Sequence, residues 1–257
     1  MISYKEYRVE NAPCTAYYIP EFITKEEEQK VTQQVYSAPK PKWKELAHRR
    51  LQNWGGFPHP KGMVTEAIPL WLQQQMDHIS DLGAFGDKIP NHVLVNEYLA
   101  GQGIMPHVDG PIFYPTITTI SLGSHTLLDL YLPLQPELEN SQTHTCNTDQ
   151  VQSTPLTHPE QIGQSTSCPE FGSSLLSESY VGSLLLEPRS LLILQGDLYT
   201  SYLHGIGEVK EDVVTEKIFN RRSHQPGDVL TRSTRISLTI RHVPKVFKSR
   251  LIFGKVR

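Results

Sequence analysis

Residues 91–111, NHVLVNEYLAGQGIMPHVDGP, decide the fold because they contain two strand-like runs separated by a glycine-containing turn. The first run contains valine and tyrosine, which are common in strands, and predicts a strand over residues 91–99. The second run predicts a strand over residues 104–109 that runs back alongside the first. Glycine tolerates the positive φ angles that tight turns demand. The stretch therefore predicts a β-hairpin at the centre of the fold.

His107 and Asp109 stand two positions apart on the second predicted strand. Side chains at i and i+2 of a strand point to the same face, so this imidazole and carboxylate meet at one point. His204, in SYLHGIG, supplies a third candidate ligand. Two imidazoles and one carboxylate on one face of an octahedral ion form the ligand set of non-haem Fe(II) oxygenases. The three residues predict an iron site; the alternative for the HxD pair alone is an incidental surface or hydrogen-bonded pair.

A strand near the carboxyl terminus, residues 235–243, provides the second chemical signal. Its alternation places four polar side chains on one face: Arg235, Ser237, Thr239 and Arg241. Guanidinium groups on an inward face need anions, and an arginine fork matches a carboxylate with two hydrogen bonds, so this face predicts a dicarboxylate co-substrate. The alternative is two surface arginines on a half-exposed strand. Asn96 and Tyr98 could donate hydrogen bonds to the same ligand, or they could be ordinary cross-strand packing.

Residues 40–62, KPKWKELAHRRLQNWGGFPHPKG, predict an irregular or only briefly extended surface lid. The formal net charge of −3 gives no global attraction to nucleic acid, so any binding must use a local patch such as this one. Its basic side chains can meet phosphates and its tryptophans can stack on bases. The candidate nucleic-acid-binding residues are Lys40, Lys42, Trp43, Arg49, Arg50 and Trp54. The alternative is that the tryptophans pack on the core and the charges are solvated.

The remaining sequence predicts a mainly β fold with flanking helices, a sandwich or jelly roll. Thr24 and Glu27 form a capping box that opens a helix over about 25–37, and Pro69 sits in the first turn of a second helix that runs to about residue 82. Further strands are expected at 116–122, 126–132, 183–187 and 191–194. A polar segment near 134–182 predicts a mobile insertion, and residues 208–230 predict a loop insertion with a frayed helix.

A chain of 257 residues can bury one substantial core. We expect a single domain with three parts: N-terminal helices and a substrate lid at 1–90, a jelly-roll core at 91–243, and a basic tail at 244–257. The composition, 38% hydrophobic and 20% charged, is typical of a soluble globular protein.

The sequence pattern predicts neither a secretory signal nor a membrane-spanning segment. No apolar run approaches membrane-spanning length, and the polar start MISYKEYRVE lacks the apolar core of a secretory signal. Three cysteines cannot all pair, which fits a reducing compartment. We expect a protein of the cytoplasm and nucleus with no membrane partner. The oligomeric state stays open, with a monomer favoured.

Four motifs in this order, NxY, HxD, HGI and RxSxTxR, resemble the AlkB-like Fe(II)- and 2-oxoglutarate-dependent dioxygenases. The resemblance implies a double-stranded β-helix in which three residues bind iron: His107, Asp109 and His204. It places 2-oxoglutarate among four residues, Asn96, Tyr98, Arg235 and Ser237, and places Arg241 near both co-substrate and substrate. One departure is Ser237, where the better-known DNA-repair members carry asparagine and thus make a longer contact.

The resemblance implies an oxidoreductase that uses Fe(II), 2-oxoglutarate and O2 to demethylate or hydroxylate a nucleic acid, DNA or RNA. It implies that the metal and the co-substrate supply the hard chemistry while the protein positions the target and excludes water. Two alternatives stay open. One is a hydroxylase or demethylase of proteins, and the other is a nucleic-acid-binding module of the same fold with little turnover.

Overall fold

Two β-sheets pack against each other in the computed structural model, which describes residues 3–13, 15–133 and 178–247. The larger sheet is antiparallel and has seven strands in the order β1 (Ala16–Ile19), β10 (Leu191–Gln195), β7 (Thr116–Leu122), β14 (Arg235–Arg241), β5 (His92–Tyr98), β3 (Arg49–Trp54) and β2 (Lys44–Leu46). The smaller sheet has four strands in the order β6 (Ile104–His107), β11 (Leu203–Ile206), β8 (Thr126–Tyr131) and β9 (Tyr180–Leu186).

Short pairs and helices complete the described chain. β12 (Glu211–Val213) pairs with β13 (Val229–Thr231), and β4 (Met63–Val64) pairs in parallel with β15 (Val246–Phe247). The α-helices are α1 (Lys25–Tyr36), α2 (Leu70–Asp81) and the short α3 (Asp197–Thr200); 3-10 turns span Tyr4–Tyr7 and Lys40–Lys42. Within the described ranges, no helix has the length and apolar character needed to cross a membrane.

The two longer helices cover the outer face of the seven-stranded sheet, as the sequence predicts. Glu27 closes the capping box of α1, because its backbone N–H donates to the Thr24 hydroxyl at 3.1 Å and its carboxylate accepts from the Thr24 N–H at 2.7 Å. Val35 of α1 and Leu72 of α2 are fully buried against this sheet. The outer face is thereby closed, which leaves the inner face, between the two sheets, for a functional cavity.

The double-stranded β-helix predicted from the sequence is confirmed. An apolar cluster lies between the sheets, with Leu128, Leu184 and Leu186 from the smaller sheet and Leu192 and Leu194 from the larger one. Most of the insertion predicted near 134–182 and of the tail predicted at 244–257 lies outside the described residues. The three-part division of the chain stays a prediction.

The predicted β-hairpin over residues 91–109 is wrong. Both edges of β5 are already hydrogen-bonded, to β14 and to β3, whereas β6 lies in the other sheet beside β11. The glycine-containing turn therefore carries the chain from one sheet to the other. A side chain at Gly103 would collide with the carbonyl oxygen of Ile206, so glycine is required for the close backbone approach at this crossing.

Two segments predicted as irregular are more regular than expected. In residues 40–62, β2 and β3 extend the seven-stranded sheet, because β3 pairs with β5 from Arg50 to Trp54. In residues 208–230 there is a β-hairpin, β12–β13, and no helix. The Arg232 guanidinium anchors this hairpin with two 2.6 Å hydrogen bonds to the Asp212 carboxylate and one of 2.7 Å to the carbonyl of Gly207.

Candidate active site

Three possible metal ligands meet where β6 and β11 run side by side. The pairing of these strands sets His204 directly opposite His107. Asp109, just after β6, joins them, and one ligand atom from each of the three residues lies within 4.8 Å of the other two. The structure therefore places the two residues of the HxD motif beside a histidine nearly a hundred positions later, as the sequence predicts.

Hydrogen bonds leave the right atoms of this cluster available to a metal. Nδ1 of His107 lies 2.9 Å from the carbonyl oxygen of Met105. Because a carbonyl only accepts, Nδ1 carries the proton and the lone pair on Nε2 is free, which is the usual outer support of a metal-bound histidine. Burial lowers the pKa of His204 to about 4, so its imidazole stays neutral. A neutral imidazole is the form that binds a metal ion.

An arginine side chain, Arg241, holds the carboxylate of Asp109 in place. Its Oδ1 accepts a 2.6 Å hydrogen bond from Nη2 of Arg241, and its Oδ2 lies 3.9 Å from Nε2 of His204. One carboxylate oxygen is therefore directed toward the histidines. Two imidazoles and a carboxylate supported in this way fit Fe(II).

The cluster opens into a cavity of about 540 Å³ between the sheets. Every residue predicted to surround the co-substrate lines this cavity: Asn96, Tyr98, Arg235, Ser237 and Arg241. They share it because β5 and β14 are neighbours and their inward-facing side chains alternate with outward-facing ones. Burial raises the pKa of Tyr98, so its phenol stays protonated and can donate a hydrogen bond.

Arg235 is a buried cation without a carboxylate partner among the described residues. Its side chain is almost fully covered, its Nη2 donates to the hydroxyl of Ser121 at 2.9 Å, and its Nε has no hydrogen-bond partner. Burial lowers its pKa to about 10. A guanidinium in such a place is costly unless an anion binds to it, so this end of the cavity is suited to a carboxylate.

Arg241 also contacts an aromatic side chain, and the sequence motifs did not predict this contact. Its guanidinium lies over the ring of Phe113, 4.5 Å from the ring centre, and this contact restrains the side chain in addition to its hydrogen bond with Asp109. Phe113 is buried and lines the cavity. Its position four residues after Asp109 is the local sequence signal for this contact.

The six candidate nucleic-acid-binding residues have different surroundings. Arg49 lines the cavity, and its Nε donates to Oδ1 of Asn96 at 3.3 Å. Lys40 is exposed on the 3-10 turn. The other four, Lys42, Trp43, Arg50 and Trp54, make side-chain contacts within the protein.

Arg50 and Lys42 are engaged by the tryptophans of the same segment. The Arg50 guanidinium makes two hydrogen bonds to the Glu97 carboxylate, at 2.7 and 2.9 Å, and lies 4.2 Å from the ring centre of Trp43. Nζ of Lys42 lies 4.4 Å from the ring centre of Trp54. Both tryptophans pack against the main core. Their rings are therefore already covered on one side.

The mouth of the cavity is spanned by a pair that the sequence did not reveal. Nδ1 of His48, in the turn between β2 and β3, lies 3.1 Å from a carboxylate oxygen of Glu208, just after β11. Both residues line the cavity. No local pattern could have found the pair, because its members are far apart in the chain and each lies in a polar, exposed loop.

The chain matches the family model of the 2OG-Fe(II) oxygenase superfamily over residues 27–241. It is 49% identical over 258 residues, covering 99% of this chain and 97% of the relative, to a Danio rerio protein named "Probable RNA/DNA demethylase ALKBH6". It is 24% identical over 233 residues to "Uncharacterized protein L905" of Acanthamoeba polyphaga mimivirus, covering 88% of this chain and 84% of that one.

A solved structure described as "The structure of OsALKBH1" is similar with 14% identity and a TM-score of 0.49, covering 88% of this chain and 97% of that chain. A likeness this distant adds nothing to the assignment. The family model, in contrast, spans most of the chain, and the three possible iron ligands lie together and line the cavity. This protein therefore belongs to the 2OG-Fe(II) oxygenase superfamily and is an oxidoreductase that uses Fe(II), 2-oxoglutarate and O2.

Proposed function

We propose that this dioxygenase removes or hydroxylates methyl groups on a nucleic acid, DNA or RNA. One observation carries the proposal: the histidine–aspartate–histidine cluster and the uncompensated guanidinium of Arg235 open into one cavity, and Arg49 stands in its wall. The name of the Danio rerio relative supports a nucleic acid as substrate.

The metal half of the site consists of His107, Asp109 and His204, which would hold Fe(II). Held there, Fe(II) would let O2 oxidise 2-oxoglutarate to succinate and CO2 and hydroxylate an N-methyl group, and a hydroxylated N-methyl group is released as formaldehyde. Arg241 keeps the Asp109 carboxylate in place through their 2.6 Å hydrogen bond. Loss of that support would free the Asp109 carboxylate to rotate, and this would alter metal binding even though Arg241 is not itself a ligand.

The co-substrate half lies on the seven-stranded sheet. Arg235 would bind the distal carboxylate of 2-oxoglutarate through two parallel hydrogen bonds, which is the geometry that a guanidinium offers a carboxylate. Asn96, Tyr98 and Ser237 line the same wall and supply amide, phenol and hydroxyl groups for the remaining oxygens. Leu128 and Leu186, from the four-stranded sheet, make the opposite wall apolar, which excludes water from the reacting atoms.

Substrate would enter past Arg49, His48 and Glu208. A positive side chain at the mouth can meet a phosphate next to the target base, and an enzyme that acts on a base must first take it out of the stack. Single-stranded oligonucleotides should therefore be better substrates than duplexes.

The test is to incubate the iron-loaded protein and 2-oxoglutarate with methylated single-stranded DNA and RNA, their duplexes and a methylated peptide. Formaldehyde and succinate are measured together. The proposal expects both products to rise with an oligonucleotide and to fall to background in His107→Ala and Arg235→Ala. Oxidation of the peptide with the oligonucleotides untouched would make the enzyme one that acts on proteins. Oligonucleotide binding that is unaffected by His107→Ala, with no substrate-dependent succinate, would make it a binding module.

A further inference from the structure

We propose that Ser121 is the positioning residue of the co-substrate site, holding the Arg235 guanidinium in the orientation that receives the distal carboxylate. The inference rests on the proposed role of Arg235. The motif pattern does not point to Ser121, because it lies on β7, outside all four motifs.

The sheet register brings Ser121 to this place. Ser237 of β14 pairs with Asn96 of β5 on one side and with Ser121 of β7 on the other, so three polar residues form one row across the sheet. Thr119, two positions before Ser121 on the same face, lines the cavity. Ser121 itself is fully buried under the arginine. Its side chain therefore reaches the cavity only through Arg235.

The hydroxyl makes the one hydrogen bond that the Arg235 side chain has among the described residues, 2.9 Å from Nη2. The ring of Tyr98 lies 5.9 Å away, near the outer limit for a cation–π contact, so it orients the guanidinium weakly. An arginine side chain has many rotamers, and binding is weakened when a side chain must be ordered at that moment. Fixing one end of the fork beforehand directs its remaining N–H groups to the anion.

The Ser121 hydroxyl could serve only to give the buried Arg235 guanidinium a hydrogen-bond partner, and the ligand-free structure would then look the same. The test must therefore separate this structural role from a positioning role. A ligand pair does this. 2-Oxoglutarate carries the distal carboxylate, whereas 2-oxobutanoate has the same metal-chelating keto acid and lacks it. Only a positioning role makes the effect of Ser121 depend on that carboxylate.

Calorimetric titration of the Mn(II)-loaded protein under anaerobic conditions measures both affinities in wild type, Ser121→Ala and Ser121→Thr. Ser121→Ala is expected to weaken 2-oxoglutarate about tenfold, the usual effect of losing one hydrogen bond to a charged group. Its affinity for 2-oxobutanoate should be unchanged, and Ser121→Thr, which keeps the hydroxyl, should restore most of the loss. In turnover, Ser121→Ala should raise KM for 2-oxoglutarate and leave kcat unchanged.

Thr118→Val is the matched control. Thr118 lies on the other face of the same strand, where its hydroxyl donates to the carbonyl of Ile240 at 3.1 Å, so its loss should not affect either affinity. Equal 2-oxoglutarate affinity in wild type and Ser121→Ala, or an equal loss for both ligands, would overturn the role of Ser121 alone. If wild type bound neither ligand, the proposed co-substrate site would fail and Ser121 with it. Unfolding curves for each variant identify any that fold poorly.

Discussion

Nη2 of Arg241 and Oδ1 of Asp109 are 2.6 Å apart, and both side chains are more than nine-tenths covered. This ion pair is the outer support of the metal cluster. Replacing Arg241 with leucine keeps much of the volume against Phe113 but frees the carboxylate to rotate. We expect Arg241→Leu to bind Mn(II) about 10 to 100 times more weakly, the usual effect of removing an outer-shell partner.

The affinity is measured by titrating Mn(II) into metal-free protein. Arg221→Ala, which removes an exposed ion pair with Glu216, should bind Mn(II) like wild type. Equal affinity in Arg241→Leu and wild type would show that Asp109 does not depend on its arginine.

Arg235 should lower the stability of the ligand-free protein. Its charge is buried without a carboxylate partner among the described residues, so Arg235→Met replaces an unfavourable cation with apolar surface. We expect the free energy of unfolding to rise by about 1 to 3 kcal/mol in urea. Adding 2-oxoglutarate and Mn(II) should then stabilise wild type more than the variant. A variant that unfolds more easily than ligand-free wild type would contradict this account.

Arg49 and Arg50 are neighbours in sequence and should differ in effect. Arg50→Ala leaves the buried carboxylate of Glu97 without its two guanidinium bonds, so we expect a loss of about 2 kcal/mol in the free energy of unfolding. Arg49→Ala removes a cavity-lining charge and should leave stability within about 0.5 kcal/mol while weakening oligonucleotide binding. Urea unfolding and fluorescence anisotropy measure the two quantities. The reverse pattern would make Arg50 the substrate contact.

His92 predicts a pH dependence of stability. Burial, with a smaller effect of Arg241, lowers its pKa to about 3, well below the ordinary value near 6.5. The unfolded chain therefore takes up a proton below about pH 6.5 that the folded chain takes up only near pH 3, so stability falls as pH falls between these values. The slope from this residue is at most about 1.4 kcal/mol per pH unit. His92→Gln should unfold with a shallower pH dependence over that range; an unchanged slope would exclude His92 as its source.

Local patterns predicted the parts of this protein that depend on neighbouring residues. The Thr24–Glu27 capping box needs only four residues, and the shared face of Arg235 and Arg241 needs only the alternation of one strand. These local features do not depend on the order in which the strands pair. The helices and most strands were therefore predicted close to their observed bounds.

The pairing of strands and the use of charged residues could not be read in this way. The glycine-containing turn before Ile104 is compatible with a hairpin or with a crossing between sheets, and the choice depends on β14 and β3 occupying both edges of β5. Arg50 seemed available to a phosphate because Glu97, its partner, is 47 positions away. Residues far apart in the chain compete for the same strand edge or the same charged side chain, and no local sequence pattern shows which of them binds there.

The two halves of the site belong to different sheets, and this has a mechanical consequence. His107 and His204 lie on the four-stranded sheet, whereas Arg235 and Asn96 lie on the seven-stranded one. A dicarboxylate that spans from the metal to Arg235 would be a reversible, non-covalent cross-link between the sheets. Because 2-oxoglutarate becomes succinate at each turnover, that cross-link would lose one carbon and with it the keto acid that chelates the metal.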